Sequence, residues 1–301
     1  MRIGYPCINR SIGCSAGRTF RLASYSRERL YATVAANLAC LERILAFNRE
    51  AGLFFFRIGS GLVPFASHPV CTDTWQEACG PALARVGRRV REEGHRISMH
   101  PDQFVVINGP DRGVLDRSVA ELEYHAEVLD LMGLDRTARV QVHVGGVYGD
   151  RTASLHRFID RAGRLPEAVR RRLVIENDDG RYSVEDCLAI SAETGIPVLF
   201  DRFHHEVFGT GGPVEGVLVR VAATWEPGDG NMMVDFSTQA EGRRAGAHAP
   251  TLDPAAFARF LDESRACDPD IMLEVKDKER SALLALEVAR DDPRLQAGPV
   301  R

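Results

Sequence analysis

Eight short apolar runs, each closing on a polar residue and separated from the next by a longer connecting stretch, constrain this chain more than any other feature. The first four are Arg2-Ile3-Gly4-Tyr5, Leu53-Phe54-Phe55-Phe56-Arg57, Arg96-Ile97-Ser98-Met99-His100 and Val140-Gln141-Val142-His143. The others are Leu173-Val174-Ile175-Glu176-Asn177, Val198-Leu199-Phe200-Asp201, Met232-Met233-Val234-Asp235 and Ile271-Met272-Leu273-Glu274. Runs of this length between helix-patterned stretches read as the parallel strands of βα units. Eight of them predict an α/β chain folded as a single (β/α)8 TIM barrel, whose active site sits at the C-terminal ends of the strands. Six of the eight runs place His, Asp or Glu there, a pattern that points to a polynuclear metal site.

The intervening stretches support the barrel. Ser26 to Glu50 has helical spacing at Leu30, Val34, Leu38, Leu41 and Leu45; Trp75 to Glu93 and Leu115 to Met132 follow, closed by Gly94 and Gly133. Ser183-Val184-Glu185-Asp186 reads as a capping box opening a helix that ends near Gly195. Further helices are expected over 216–224, 254–265 and 278–290. One barrel domain over residues 1–291 accounts for the chain, with 292–301 as a frayed tail. The long connections after the first three strands suit a groove for a polymer.

Composition excludes some classes. No run approaches the roughly 18 apolar residues of a membrane span, so no membrane partner is expected. Seven scattered cysteines without a CxxC pair argue against a disulfide scaffold, and the expectation is free thiols in a reducing cytoplasm. A net charge of −4 speaks only weakly against nucleic acid, because carboxylate ligands inflate the acidic count and bound divalent ions reverse the local sign. The basic clusters around Arg85-Arg91, Arg170-Arg172 and Arg243-Arg244 read as solvated faces. No Walker-type phosphate loop is present, and Gly145-Gly146 and Gly211-Gly212 read as turns, so no organic cofactor is expected.

The residues that carry chemistry are His100, His143, Glu176, Asp201, His204, Asp235, His248 and Glu274. Residues two apart on a strand share a face, so the inward residues at the strand ends of a barrel converge on its axis. Imidazole with carboxylate suits Zn, Mn or Fe, and abundant carboxylates lean towards harder ions such as manganese. Glu176 could bridge two ions, and the chemistry such a site performs best is phosphoester hydrolysis. His95, His125, His156 and His205 lie away from strand ends and read as structural or surface residues.

At these residues the chain resembles the UV damage endonuclease family, a branch of the endonuclease IV-like barrels. The matching stretches are Gly4-Tyr5 with Asn9, Arg57-Ile58-Gly59-Ser60, Ser67-His68-Pro69, Ser98 to Phe104, His143 to Asp150, Glu176 to Asp179, Phe200 to His205 and Met272 to Lys278, in order across residues 1 to 290. The resemblance implies an endonuclease that nicks damaged double-stranded DNA immediately 5′ of a UV photoproduct with two or three manganese-type ions. It implies His100, His143, Glu176, Asp201, His204, His248 and Glu274 as ligands, with His143, Glu176 and Glu274 central to catalysis and His68 at or near the cluster. It also implies a Gln103-Phe104 wedge that fills the gap left by a flipped dinucleotide, with Tyr5 and Asn9 helping from the opposite side. A crosslinked dimer stacks and pairs poorly, so extruding it costs less than extruding normal bases. An inserted ring replaces part of the lost stacking. A groove-binding nuclease has no need to oligomerise, and a monomer is expected.

The sequence departs from the family pattern on the seventh strand. Met233-Val234-Asp235 stands where Lys-x-His is usual. Asp235 can still ligate a hard ion, whereas Met233 cannot supply a lysine's charge. Phe104 replaces a common Tyr, and Asp102 adds negative charge where Gly is usual. Three alternatives stay open: an abasic-site endonuclease, a lesion-binding protein with impaired cleavage, and a metal-dependent isomerase or oxidase on the same barrel.

Overall fold

The structure is a computed structural model that describes residues 1–208 and 213–296; Gly211-Gly212 and the last five residues lie outside the described part. The eight apolar runs form β1 (Ile3–Pro6), β2 (Phe55–Gly59), β3 (Arg96–His100), β4 (Arg139–His143), β5 (Leu173–Glu176), β6 (Val198–Asp201), β7 (Met233–Phe236) and β8 (Asp270–Leu273). They close into a barrel in sequence order, every neighbouring pair parallel. The expected boundaries agree to within two residues. The second strand starts later than expected because Gly52, at φ 79°, ends the preceding helix and Leu53 N–H returns to the Asn48 carbonyl, so Leu53 belongs to the turn.

The helices are α1 (Arg27–Ala51), α2 (Trp75–Glu92), α3 (Arg112–Leu131), α4 (Arg151–Ala162), α5 (Glu167–Arg170), α6 (Val184–Thr194), α7 (Arg202–Phe208), α8 (Val214–Ala222), α9 (Pro254–Glu263) and α10 (Glu279–Val288). The Ser183/Asp186 capping box forms as expected, and Gly195 closes α6 at φ 71°. Helix α3 starts three residues before the expected Leu115, because the Asp111 carboxylate accepts from Val114 N–H and caps an earlier turn. The sequence reading lacked α4, α5 and α7. For α4 the signal was present in Asp150, whose side chain accepts from Ala153 N–H.

Alternation along the strands divides the barrel in two. Outward residues such as Phe56, Ile58, Ile97, Val140, Ile175, Phe200 and Leu273 pack under the helices in the main core. Inward residues fill the barrel: Phe55, Val174, Leu199, Met233 and Met272 form an apolar plug. Below the plug Arg96 lies against Phe55 and Trp225 and pairs with Asp270 at 2.8 Å. The polar inward residues above it build the site.

Four expectations are corrected here. Helix α1 is long and apolar enough to cross a membrane by length and composition, contrary to the sequence reading; in this fold Leu30, Val34, Leu38, Leu41 and Leu45 of that helix are buried in the core. Cys14 and Cys40 form a disulfide rather than free thiols, which removes the cysteine argument for a reducing compartment; Cys7, Cys71, Cys79, Cys187 and Cys267 are free. The pair is 26 residues apart and joins the long β1–α1 loop to α1, a proximity no spacing rule supplies. The start of the expected frayed tail is tied down: Gln296 N–H donates to the Met1 carbonyl at 2.9 Å, and Arg294 donates to the carbonyls of Leu261 and Ser264. Finally, Arg172 is no solvated residue; it is buried and donates to the carbonyls of Leu134, Asp135 and Ala138.

Candidate metal centre

Strand ends deliver His100, His143, Glu176, Asp201 and Asp235, with Glu274 immediately past β8, to one mouth of the barrel. Their donor atoms gather in three sets, each within 4.8 Å: His100, His143 and Glu176; Glu176, Asp201 and His204; and Asp201, Asp235 and Glu274. Glu176 Oε2 stands 3.5 Å from His100 Nε2 and 3.7 Å from His143 Nε2, while Oε1 stands 3.6 Å from His204 Nδ1. These separations are too long for good hydrogen bonds and suit donors arranged around common ions. Glu176, with one oxygen in each of two sets, has the placement of a bridge.

Second partners hold the donors. Asn177 Nδ2 donates to the Asp201 carbonyl and its Oδ1 accepts from Asp201 N–H, both at 2.9 Å, clamping β5 to β6. His204 Nδ1 donates to the Asn177 carbonyl at 3.0 Å and stands 3.2 Å from Asp201 Oδ2, and His248 Nδ1 donates to the Glu274 carbonyl at 2.8 Å, which fixes both rings. His248 comes from the long β7–α9 loop, where Gln239 pairs with it in a short antiparallel bridge. It stands beside Glu274, outside the three donor sets.

Two inward residues missed by the sequence reading organise this layer. Gln141 Nε2 donates to Glu176 at 2.8 Å and to Asp235 at 3.0 Å. Arg57, 2% exposed, donates through Nη2 to both oxygens of Asp235 at 2.6 and 2.8 Å and through Nη1 to Glu274. Both occupy strand positions two before the rim, a parity that marks them as inward, and a buried polar residue there was the available signal. Met233, expected beside the metals, lies one layer down in the apolar plug. His68, expected at or near the cluster, is exposed on a loop, where its Nδ1 accepts from Val70 N–H at 3.0 Å, and it joins none of the donor sets found among the described residues. His95, His125 and His205 are buried and His156 is exposed, each as expected.

The electrostatics of the bare cluster are those of a site built around cations. Burial pushes the Asp201 carboxyl up to about 7, against the pull of His204. Burial opposes charge on His204, but Asp201 and Glu176 outweigh it and lift the imidazole to about 9. Burial also pushes His100 down to about 4, keeping it neutral as a ligand must be. For Glu274 and Glu176 burial is overcome, by Arg57 and His248 in the first case and by His143 and His100 in the second, and both are held below the usual range. Among the described residues the buried His100 Nδ1 and His143 Nδ1 have no hydrogen-bond partner, and Asp201 Oδ2 has only the His204 imidazole at 3.2 Å. Carboxylates crowded at this depth need positive charge, and mixed oxygen and nitrogen donors fit divalent ions.

The rim bears one exposed aromatic on the β3–α3 loop: Phe104 is 51% exposed, beside the exposed Gln103 and Asp102 and a few residues beyond His100. Arg243 and Arg244 are exposed on the loop that carries His248. Tyr5 and Asn9 are corrected as DNA-facing residues. Tyr5 points outward from its strand, its hydroxyl donating to Asn48 Oδ1 at 2.6 Å and accepting from Asn9 Nδ2 at 2.8 Å. Both are buried, so they shape the β1–α1 loop from beneath and offer no surface to a DNA strand.

A closed barrel of eight parallel strands alternating with helices defines the TIM-barrel class of fold, which endonuclease IV shares. The structure of endonuclease IV from Thermus thermophilus matches over 96% of this chain and 98% of its own, with a TM-score of 0.61 at 19% identity. A D-psicose 3-epimerase structure matches over 82% and 92% with 0.55 at 11%, and at these identities the likeness shows the fold alone. Sequence decides within the class. The UV-endonuclease UvdE model matches residues 1–295, and the chain belongs to that family. It is 34% identical to the UV DNA damage endonuclease of Clostridium perfringens (strain 13 / Type A) over 293 residues, covering 97% of this chain and 71% of that protein. It is 32% identical to a putative UV-damage endonuclease of Acanthamoeba polyphaga mimivirus over 297 residues, covering 94% and 89%. The SacUVDE crystal structure matches with a TM-score of 0.92 at 43% identity over 97% of this chain and 98% of that one. Membership makes this chain a DNA repair endonuclease for UV damage.

Proposed function

We propose that the protein nicks duplex DNA immediately 5′ of a UV photoproduct, and that His100, His143, Glu176, Asp201, His204, His248 and Glu274 hold manganese-type ions for that reaction. The observation that carries this reading is Glu176, buried at the barrel mouth with one oxygen turned to each of two donor sets. Divalent ions bound there would acidify a water for attack on the phosphodiester and neutralise charge gathering on the phosphate oxygens. The chain's own residues supply position. Asn177 fixes the Asp201 backbone, and Gln141 holds one oxygen of Glu176. The carbonyls of Asn177 and Glu274 accept from Nδ1 of His204 and His248 and so fix the orientation of both rings.

Phe104 and Gln103 act as the wedge. An exposed ring on a loop anchored to the third strand can enter the stack where a poorly stacked dimer leaves it. Exposed Arg243 and Arg244 contact the phosphate backbone. The protein acts as a monomer where the DNA is, and a cytoplasmic location agrees with that substrate.

The test is strand nicking of a duplex carrying one pyrimidine dimer, with manganese and with chelator, beside undamaged and abasic duplexes. A manganese-dependent cut just 5′ of the dimer is expected. A cut at the abasic site alone would replace the photoproduct reading with an abasic-site endonuclease, and selective binding without cutting would leave a lesion binder. Neither cutting nor binding would point to an isomerase or oxidase on the same barrel.

A further inference from the structure

The third donor set, Asp201, Asp235 and Glu274, differs from the other two in being bound by a guanidinium, a cation that cannot shed its charge to admit a metal ion as an imidazolium can. Both oxygens of Asp235 accept from Arg57 Nη2, and Oδ2 accepts in addition from Gln141 at 3.0 Å. Glu274 Oε1 accepts from Arg57 Nη1. Asp235 is fully buried and Arg57 is 2% exposed, so water cannot stand in for either if they separate. A guanidinium does not give up its proton, and charge-assisted hydrogen bonds to two buried carboxylates hold it in place. The neighbouring inward residue of β7, Met233, packs with Phe55, Val174, Leu199 and Met272 and brings no oxygen or nitrogen to this set.

We propose that Arg57 occupies the place of a third ion, so that Asp235 is its counter-ion rather than a metal ligand and the centre takes two divalent ions bridged by Glu176. This rests on the metal-centre reading above. Charge supports it independently of geometry. The mouth gathers four carboxylates, Glu176, Asp201, Asp235 and Glu274. Two divalent ions with the guanidinium exceed their charge by one, which one phosphodiester cancels. A third ion would leave an excess of three in a buried site, an arrangement low-dielectric surroundings penalise. The guanidinium offers no open coordination position, so it neutralises the third set without binding a water or a phosphate oxygen. Positive charge there also survives removal of metal.

The test counts manganese on the full chain, loaded, desalted and measured by elemental analysis. About two ions per chain are expected. Three would overturn the proposal, and none retained would fail the metal-centre reading itself and the proposal with it. Asp235→Asn should keep two ions; loss of one makes Asp235 a ligand and overturns it. Arg57→Met exposes the carboxylates of the third set and should raise the count towards three, whereas an unchanged count would show that Arg57 was not excluding an ion. If either single variant fails to fold, Arg57→Met/Asp235→Leu removes the pair together, a swap buried ion pairs often tolerate, and should still bind two. A fall to one in that variant is a second way the proposal fails.

Discussion

Glu176 ends the fifth strand at 1% exposure, with His100, His143 and His204 facing its two oxygens. With Glu176 as the proposed bridge, removing it would leave both ion positions short of a ligand and the clamp at Asn177 intact. Glu176→Ala is therefore expected to abolish nicking and manganese retention while circular dichroism stays native. Retained activity would remove Glu176 from the cluster. At the rim, Phe104 has half its surface in solvent and little packing to lose. Phe104→Ala should weaken binding to a dimer-containing duplex by about 1–3 kcal/mol, the scale of one stacked base. Unchanged affinity by fluorescence anisotropy would count against insertion. The residue types at the strand ends were legible in the sequence because alternation along a strand is a local property. Arg57 and Gln141 were not assigned, since their importance lies in carboxylates on other strands.

Among the elements, the loop between β7 and α9 has two duties. It brings His248 to Glu274 and displays Arg243 and Arg244 to solvent. If both arginines meet phosphates, Arg243→Ala/Arg244→Ala should weaken damaged and undamaged duplex binding alike. It should also reduce the slope of log affinity against log salt by about 2, near one per contact. A slope equal to that of the native protein would return these residues to an ordinary solvated face. Helices with a cap residue and a periodic apolar face, such as α1 and α6, were read to within a residue or two of their ends. Helices α5 and α7 have 4 and 7 residues, too few for a period to show, and tertiary packing holds them where propensity alone would not.

Across the whole molecule, the titratable donors at the barrel mouth link stability to pH. In the metal-free protein His204 titrates near 9 instead of 6.5, so the folded state holds its proton more tightly than the unfolded one. A raised pKa contributes stability below the unfolded value that is lost as pH climbs through the folded value. Stability of chelator-treated protein should thus decline between pH 6.5 and 9, and manganese should raise the melting temperature more at the upper end of that window. Asp201, raised from 3.8 to about 7, gives a separate decline between those two values, largely ahead of this window, while His100, near 4, is neutral in the folded state throughout it. A flat metal-free profile by calorimetry would refute the coupling. The Cys14–Cys40 bridge is a second global constraint, closing a span of 26 residues. Replacing both cysteines by alanine should cost about 2–4 kcal/mol in urea unfolding. No loss would mean that the native loop holds its place unaided.

The sequence by itself determined the number of strands, their order and the donors at their ends, because apolar period, helix caps and strand alternation act over a few residues. Those local rules also carried the resemblance to the family. Only the tertiary structure decided which side chains meet across the barrel axis. Arg57 and Asp235 are 178 residues apart, and nothing along the chain records that they face one another. The same holds for Tyr5, turned outward onto Asn48, and for Cys14 beside Cys40. Closure of the sheet sets these encounters, since strand tilt and register fix which inward residues share a layer. The candidate donors at the strand ends were therefore readable in the chain, and the guanidinium seated among them became visible only in the closed barrel.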